Sequence, residues 1–344
     1  MHQKDTIFLH IGMHKTATTS IQSSLDGFSD GVTRYARMGR QNHSVSMISA
    51  FGTEPQRHHF FSNRGLGADD VTAMRTAARA GLARELASPE RNLILSGEAM
   101  VDLPRGDLES MRLYLEEKAA HIRVMAYVRE PVGFAASAFQ QQLKGRRAAY
   151  DVPLPKYRNR FARFLQAFGR DKVEFFPFDV AGFRNQCIIT DFCDRVGIDA
   201  DQVPRKRRNE SLSPTVVALL LDWNRDQIKG QGSPARLVAR RALVEALRKA
   251  FPGKFAFDPS VVAARIDAED CAWMEARAGF ALPAPPPAPA DAVTGPEDLA
   301  ARASASGPAL AALLTEHGLE PPRNAPAPAL LDALYAHLLA NPVG

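Results

Sequence analysis

The sequence predicts an α/β fold, and two segments carry this prediction. Residues 6–12 read TIFLHIG and residues 122–128 read IRVMAYV, and apolar runs of this length are typical of strands buried on both faces of a parallel sheet. A helical pattern follows the first run, with Ile21 and Leu25 four residues apart on one face. We therefore expect a three-layer α/β/α domain with a central parallel sheet.

Three shorter runs extend the predicted sheet. Residues 92–98 (NLILSGE) and 173–178 (VEFFPF) read as further strands, and residues 32–38 read as a short one. Residues 190–196, with Gly197 after them, predict a helix that ends at a glycine.

The composition of the chain changes towards its C-terminal end. Residues 281–295 are rich in proline and alanine, which is typical of a semi-rigid spacer that cannot continue a helix. Residues 296–344 contain two short amphipathic patterns, at 308–319 and 327–339. We expect a main domain over residues 1–280 and a helical C-terminal appendage, which is a candidate for a cap on the core, a homodimer contact or a partner-binding element.

The loop after the first strand, residues 12–20, reads GMHKTATTS and joins a strand end to a helix N-terminus. Unpaired N–H groups and the helix dipole favour an anion there, and Lys15 adds a cation. A turn with capping threonines is the alternative, but a lysine followed by three threonines in four residues exceeds what capping requires. The candidate phosphate-binding residues are Gly12, His14, Lys15, Thr16, Ala17, Thr18, Thr19 and Ser20.

This loop differs from the Walker A loop of kinases and ATPases. A Walker A loop has a glycine directly before its lysine, whereas Met13 and His14 separate Gly12 from Lys15 here. The sequence also shows no convincing downstream strand ending in an aspartate placed to hold magnesium. A small-molecule kinase is therefore the weaker interpretation.

A second candidate segment follows the strand at residues 122–128. Pro131 suits the first position of a helix, so Arg129 falls at the carboxyl end of the strand and Ser137 about two turns into the helix. Ligands of open α/β sheets collect at the carboxyl ends of strands, so Arg129 and Lys15 are expected to face one crevice. A guanidinium there binds phosphate, with the serine hydroxyl as a second donor. Pairing of Arg129 with Glu130 or with a neighbouring carboxylate is the alternative.

Together these segments resemble the cofactor signature of sulfotransferases that use 3′-phosphoadenosine 5′-phosphosulfate (PAPS). The signature is GMHKTATTS after a strand, then R-x-P with a serine eight residues after the arginine. With His before Lys and SIQ after the threonines, it is similar to bacterial sulfotransferases that act on carbohydrates or other small hydroxylated acceptors. The resemblance spans residues 6–225 and implies a P-loop NTPase-like fold. Relatives commonly carry glycine at the position of Ala17, so we expect a right-handed or extended backbone at this alanine.

The resemblance also implies roles for individual residues. The first loop would hold the 5′-phosphosulfate, and Arg129 and Ser137 would hold the 3′-phosphate. Residues 205–214 (RKRRNESLSP) occupy the position of a loop that folds over the cofactor, which makes Arg208 and Asn209 candidate contacts. The resemblance places a carboxylate base near the end of the third strand. The candidate bases are Glu98, His14 and His43.

The implied reaction is sulfuryl transfer from PAPS to an acceptor hydroxyl. Glu98 or a histidine would take the hydroxyl proton, Lys15 would stabilise the leaving 3′-phosphoadenosine 5′-phosphate (PAP), and no metal is needed. The alternative is an inactive PAP- or nucleotide-binding module. Acceptor specificity is expected in residues 26–89 and 144–160, which carry no acceptor signature, so glycans, small alcohols and phenols stay open.

Composition agrees with a small-molecule enzyme. The net charge of +5, from 43 basic and 38 acidic residues, suits a polyanionic cofactor, and no basic-aromatic motif points to nucleic acid. Three cysteines are too few for a disulfide framework or a structural zinc site, and no signal peptide or membrane span is predicted. We expect a cytoplasmic protein.

Overall fold

The computed structural model describes residues 3–206, 211–226 and 233–341. The strands are β1 (Lys4–His10), β2 (Thr33–Tyr35), β3 (Asn92–Ser96), β4 (Ala119–Val128) and β5 (Val173–Pro177). They form one five-stranded sheet in the order β2-β3-β1-β4-β5, and all neighbouring strands are parallel. The five strands predicted from apolar runs are confirmed, with small shifts at their ends.

The α-helices alternate with these strands and then continue without strands to the end of the described chain. In chain order they are α1 (Thr18–Leu25), α2 (Ser44–Phe51), α3 (His59–Ser62), α4 (Ala68–Leu86), α5 (Arg105–Glu116), α6 (Pro131–Lys144), α7 (Tyr157–Phe168), α8 (Ile188–Val196), α9 (Pro214–Asp226), α10 (Pro234–Ala250), α11 (Pro259–Ala263), α12 (Ala268–Ala278), α13 (Pro296–Ala305), α14 (Gly307–Glu316) and α15 (Ala327–Ala340).

The chain divides into two compact units, and their bounds differ from the predicted ones. The first unit comprises residues 1–130, 156–209 and 267–284, and the second comprises residues 131–155, 210–266 and 285–344. The predicted division at residue 280 separated α6, α9 and α10 from the C-terminal helices. In the structure these three helices share one apolar core with α13, α14 and α15, which is why they group with them.

The sheet forms the centre of the first unit. Phe8 and Ile94 point to one face, where they pack in a cluster with side chains of α1 and α8. Ile7, Leu9 and Leu93 alternate with them along the strands and are fully buried as well. Both faces are therefore covered, as the three-layer α/β/α prediction requires.

The second unit is helical and packs around α9. Trp223 of α9 is fully buried, and its indole N–H donates to Asp332 at 2.7 Å. The two predicted C-terminal helices are confirmed as α14 and α15, and their leucines face the core. The predicted spacer is packed at its end, since Val293 is fully buried and its N–H donates to the carbonyl of Ala256.

Strand register brings three chain segments to the same edge of the sheet. His10 at the end of β1 pairs with Ser96 of β3 and with Met125 of β4. The loop after β1, the residues after β3 and Arg129 after β4 therefore emerge side by side. Among the described helices, none has the length and apolar character needed to cross a bilayer.

Candidate functional site

The loop between β1 and α1 has an unusual backbone. Gly12, Lys15 and Ala17 all have positive φ, at 61°, 72° and 56°. A Cβ atom on Gly12 would lie 2.6 Å from Thr18 Cγ2 and 3.2 Å from Glu98 Cβ. Glycine is therefore required at position 12, both for its backbone conformation and for the close approach of its neighbours.

The expected right-handed or extended backbone at Ala17 is wrong. Ala17 is left-handed, with φ 56° and ψ 26°, directly before α1. In this conformation its carbonyl accepts the N–H groups of Ser20 at 2.9 Å and Ile21 at 3.1 Å, which starts the helix. The left-handed conformation of an alanine costs about 1 kcal/mol of conformational free energy. The hydrogen bonds that start α1 and the packing of the loop offset this cost.

The threonines of the loop have different surroundings. Thr16 is fully buried, and its hydroxyl donates to the carbonyl of Met13 at 2.5 Å. Thr18 is buried at the first position of α1, whereas Thr19 is exposed. The N–H groups of Thr18 and Thr19 belong to the first turn of α1, which has no preceding turn of carbonyls to accept them. The Thr16 side chain therefore fixes the loop. The N–H groups of Thr18 and Thr19 at the start of α1 have no acceptor within the helix, and such groups suit an anion.

Arg129 follows β4 and reaches the loop directly. Its Nη1 donates to the carbonyl of Lys15 at 2.9 Å, and its guanidinium lies 5.3 Å from the centre of the Phe178 ring. Burial lowers the pKa of this guanidinium, yet the pKa of an arginine stays high enough for it to remain charged. Arg129 thus holds the left-handed Lys15 in place and brings a cation to the edge of the sheet.

His14 contacts an arginine that the sequence did not single out. Arg160 Nη1 donates to His14 Nδ1 at 2.8 Å, so the neutral imidazole carries its proton on Nε2. Burial and the charge of Arg160 lower the pKa of His14 to about 4. Nδ1 of His14 already accepts the N–H of Arg160, and Nε2 already carries a proton. Neither ring nitrogen is therefore free to take up a proton, and Nε2 is a hydrogen-bond donor.

Glu98 lies two residues after β3, beside Gly12. It begins a 3₁₀ turn, Glu98–Asp102, and its side chain is half-buried. Its Oε2 accepts from Gln22 Nε2 at 2.9 Å and from Asn42 Nδ2 at 3.1 Å. Two amides thus orient the carboxylate, and among the described residues its Oε1 has no hydrogen-bond donor.

A buried polar cluster lies behind Glu98; we call His10, Gln22, His43 and Ser96 the Ser96 cluster. Ser96 Oγ is hydrogen-bonded to His10 Nδ1 at 2.8 Å and accepts from Gln22 Nε2 at 3.2 Å. The backbone N–H of Ser96 donates to His43 Nδ1 at 3.0 Å. All four residues are at most 1 % exposed, and burial lowers the pKa of His43 to about 4 and that of His10 to about 3.

The structure thus separates the three candidate bases. Glu98 lies beside the loop and His14 belongs to it, whereas His43 is enclosed in the core, where its ring lies 4.8 Å from that of Tyr35. An enclosed imidazole that already accepts a backbone N–H does not meet a substrate, so the geometry favours Glu98 over His43 as a base.

Three predicted site residues remain. Ser137 is on α6 of the second unit, and Arg208 and Asn209 fall outside the described residues. Gln22, Asn42 and Arg160 are not among the site residues predicted from the sequence, although Gln22 belongs to the SIQ motif. Arg160 gives no local signal, because it is 146 positions away from His14 in the chain.

The site therefore combines a helix N-terminus, a loop lysine and two half-buried arginines with one oriented carboxylate. The cationic and N–H groups suit an anionic ligand, and the carboxylate can accept a proton from a neighbouring hydroxyl. Comparison with protein-family models finds no matching family, and comparison with curated proteins finds no match.

Proposed function

We propose that this chain is a sulfotransferase that moves a sulfuryl group from PAPS to a hydroxyl of a small acceptor. One observation carries the proposal: Lys15, Arg129 and Glu98, which the resemblance names, emerge from the ends of β1, β4 and β3 at one edge of the sheet. These strands are neighbours, so the cationic loop and the carboxylate lie beside each other.

The residues present fit a phosphosulfate group. Arg160 has a buried Nε without a hydrogen-bond partner among the described residues, and a donor in that condition is costly unless a ligand accepts from it. The His14 Nε2–H and the N–H groups at the start of α1 add donors on the same loop. When bound, PAPS supplies a sulfuryl group already attached to a phosphate leaving group.

Each residue then has a defined task. Glu98 takes a proton at Oε1 from the acceptor hydroxyl, and the amides of Gln22 and Asn42 hold Oε2 so that Oε1 keeps its direction. Lys15 and the N-terminus of α1 stabilise negative charge that grows on the departing phosphate oxygen. Arg129 fixes the loop backbone at Lys15, so these donors are in position before the reaction begins.

Calorimetric titration with PAP, in parallel with ATP and magnesium, tests the proposal. We expect PAP to bind and Arg129→Ala to weaken this binding by about 10- to 100-fold, because a charged hydrogen-bond donor is lost. Arg158→Ala is the matched control, since Arg158 is an exposed arginine of the same unit that contacts Trp273 instead. An absence of PAP binding, or a preference for ATP with magnesium, would overturn the sulfotransferase proposal in favour of a kinase.

A further inference from the structure

A cleft with a volume of about 400 Å³ lies in the first unit, between the segment that follows α2 and the 3₁₀ turn Glu98–Asp102. His58, His59 and Asp102 line it together with Glu54, Arg57 and Asp107. Glu54, Arg57, His58 and His59 fall within the expected acceptor segment 26–89, whereas Asp102 and Asp107 lie outside it. Their hydrogen bonds show which of them are already committed to the fold.

Three of the charged groups are satisfied within the cleft wall. Arg57 Nη2 lies 3.0 Å from Glu54 Oε1, and this exposed pair neutralises itself. Asp107 accepts the backbone N–H of Thr53 at 2.8 Å and its hydroxyl at 2.5 Å. The groups left to meet a ligand are therefore His58, His59 and Asp102.

His58 is the most informative of these. Its Nδ1 accepts the N–H of Phe60 at 3.3 Å, so the neutral ring carries a proton on Nε2. The side chain is only 10 % exposed, and Nε2 has no hydrogen-bond partner among the residues that the structure describes. Burial lowers the pKa of His58, with a smaller contribution from His59, so the ring is neutral at pH 7.

The oxygen opposite His58 belongs to Asp102. Asp102 Oδ2 lies 3.8 Å from His58 Nε2, too far for a direct hydrogen bond, and the Asp102 side chain is 56 % exposed. A ligand group placed between these two atoms has to accept the N–H of His58 and donate to the carboxylate of Asp102. A hydroxyl has this property, whereas an ammonium only donates and a carboxylate only accepts.

The 3₁₀ turn that ends at Asp102 in the cleft wall begins at the proposed base. Glu98 and Asp102 are the two ends of one 3₁₀ turn, so about 8 Å separates them along its axis. Burial lowers the pKa of both His14 and Arg160, and the charge of Asp102 opposes this lowering in each case, so Asp102 lies within electrostatic reach of both. A small molecule with several hydroxyls can thus be held at Asp102 and still present another hydroxyl towards Glu98.

We propose that this cleft is the acceptor site, and that it takes a neutral polyhydroxylated molecule, such as a sugar or cyclitol, by one non-reacting hydroxyl. That hydroxyl accepts from His58 Nε2–H and donates to the Asp102 carboxylate. The inference rests on the proposed function for the identity of the ligand as an acceptor. Because one hydroxyl is held in the bridge and another must reach Glu98, this mode of binding selects against phenol and ethanolamine, which have a single hydroxyl. The negative charge of Asp102 selects against sugar acids.

Ligand-observed NMR by saturation transfer tests this without turnover. The full chain, with PAP present, is mixed separately with glucose, N-acetylglucosamine, inositol, phenol, ethanolamine and glucuronate. We expect signals from at least one neutral polyol, and an affinity about tenfold or more lower in His58→Phe and in Asp102→Ala, because the first removes the ring N–H donor and the second removes the carboxylate acceptor. Glu54→Gln is the control on the same wall, and it should bind as the wild type does.

The outcomes separate this inference from the proposed function. If PAP binds but no neutral polyol does, or if His58→Phe and Asp102→Ala bind a polyol like the wild type, the cleft inference is overturned and the PAP result stands. A preference for phenol, ethanolamine or glucuronate overturns it as well. If PAP fails to bind while polyol binding still depends on His58 and Asp102, the cleft is a polyol site and the sulfotransferase proposal is wrong.

Discussion

The loop at residues 12–20 and the Ser96 cluster lie at the same edge of the sheet, yet they differ in how their polar groups are satisfied. The loop has left-handed residues at Lys15 and Ala17 and points the start of a helix outward. The cluster is closed, and its imidazoles are bonded to Ser96. Each region contains a candidate histidine, so the contrast shows that residue type alone does not distinguish a histidine in an open loop from one that is enclosed in the core.

The largest expected effect is on kcat, from a substitution in the loop. Lys15→Ala should lower kcat for PAPS turnover by about 10³-fold while PAP affinity changes much less, because the ammonium acts on charge that develops during transfer. Lys156→Ala is a close control, since Lys156 is an exposed lysine that also has a left-handed backbone, with φ 53°. A wild-type kcat in Lys15→Ala would refute the catalytic role of the loop.

The second effect tests which region supplies the base. Glu98→Gln should lower kcat by about 10²-fold, because the amide oxygen still accepts from Gln22 and Asn42 but takes up no proton. His43→Leu should keep most of the wild-type kcat at pH 7.5 when rates are corrected for the folded fraction. A greater loss of kcat in His43→Leu than in Glu98→Gln would reverse the assignment.

The parts of the fold that follow from short-range patterns could be predicted. Residues 93–95 are a continuous apolar run because β3 is covered on both faces, and the leucines of α14 recur on one face because that face is buried. The grouping of α6 and α9 with the C-terminal helices could not be predicted, since an apolar helix face does not specify which helix it packs against. The contact of Arg160 with His14 could not be predicted either, because the two residues are 146 positions apart and only the tertiary fold brings them together.

The third prediction concerns the pH dependence of the Ser96 cluster. His43 titrates near pH 4 when folded and near 6.5 when unfolded, so the unfolded chain binds more protons between these values. Stability is therefore full above pH 6.5 and is lost as the pH falls towards 4. From pH 7.5 to 5, His43 should account for about 2 kcal/mol of the loss in the free energy of unfolding.

Urea unfolding at the two pH values measures this loss. His43→Leu should be less stable than the wild type at pH 7.5, because Ser96 N–H loses its acceptor, but its stability should fall by about 2 kcal/mol less on acidification. His10 remains in the variant and keeps part of the acid sensitivity, since its pKa is lowered to about 3. An equal fall in both proteins would show that His43 is not held neutral by burial.

The smallest effect returns to the loop and tests whether it stores strain that the cluster does not. Ala17→Gly should raise the free energy of unfolding by about 1 kcal/mol, because glycine adopts φ 56° without a clash of its own Cβ. Ala73→Gly, on the exposed face of α4, should lower it by about 1 kcal/mol, since glycine is unfavourable inside a helix. Opposite signs for the same substitution would locate the strain in the backbone at position 17. A loss of stability in both variants would instead mean that the left-handed alanine is fully accommodated, and that the loop is as relaxed as the Ser96 cluster behind it.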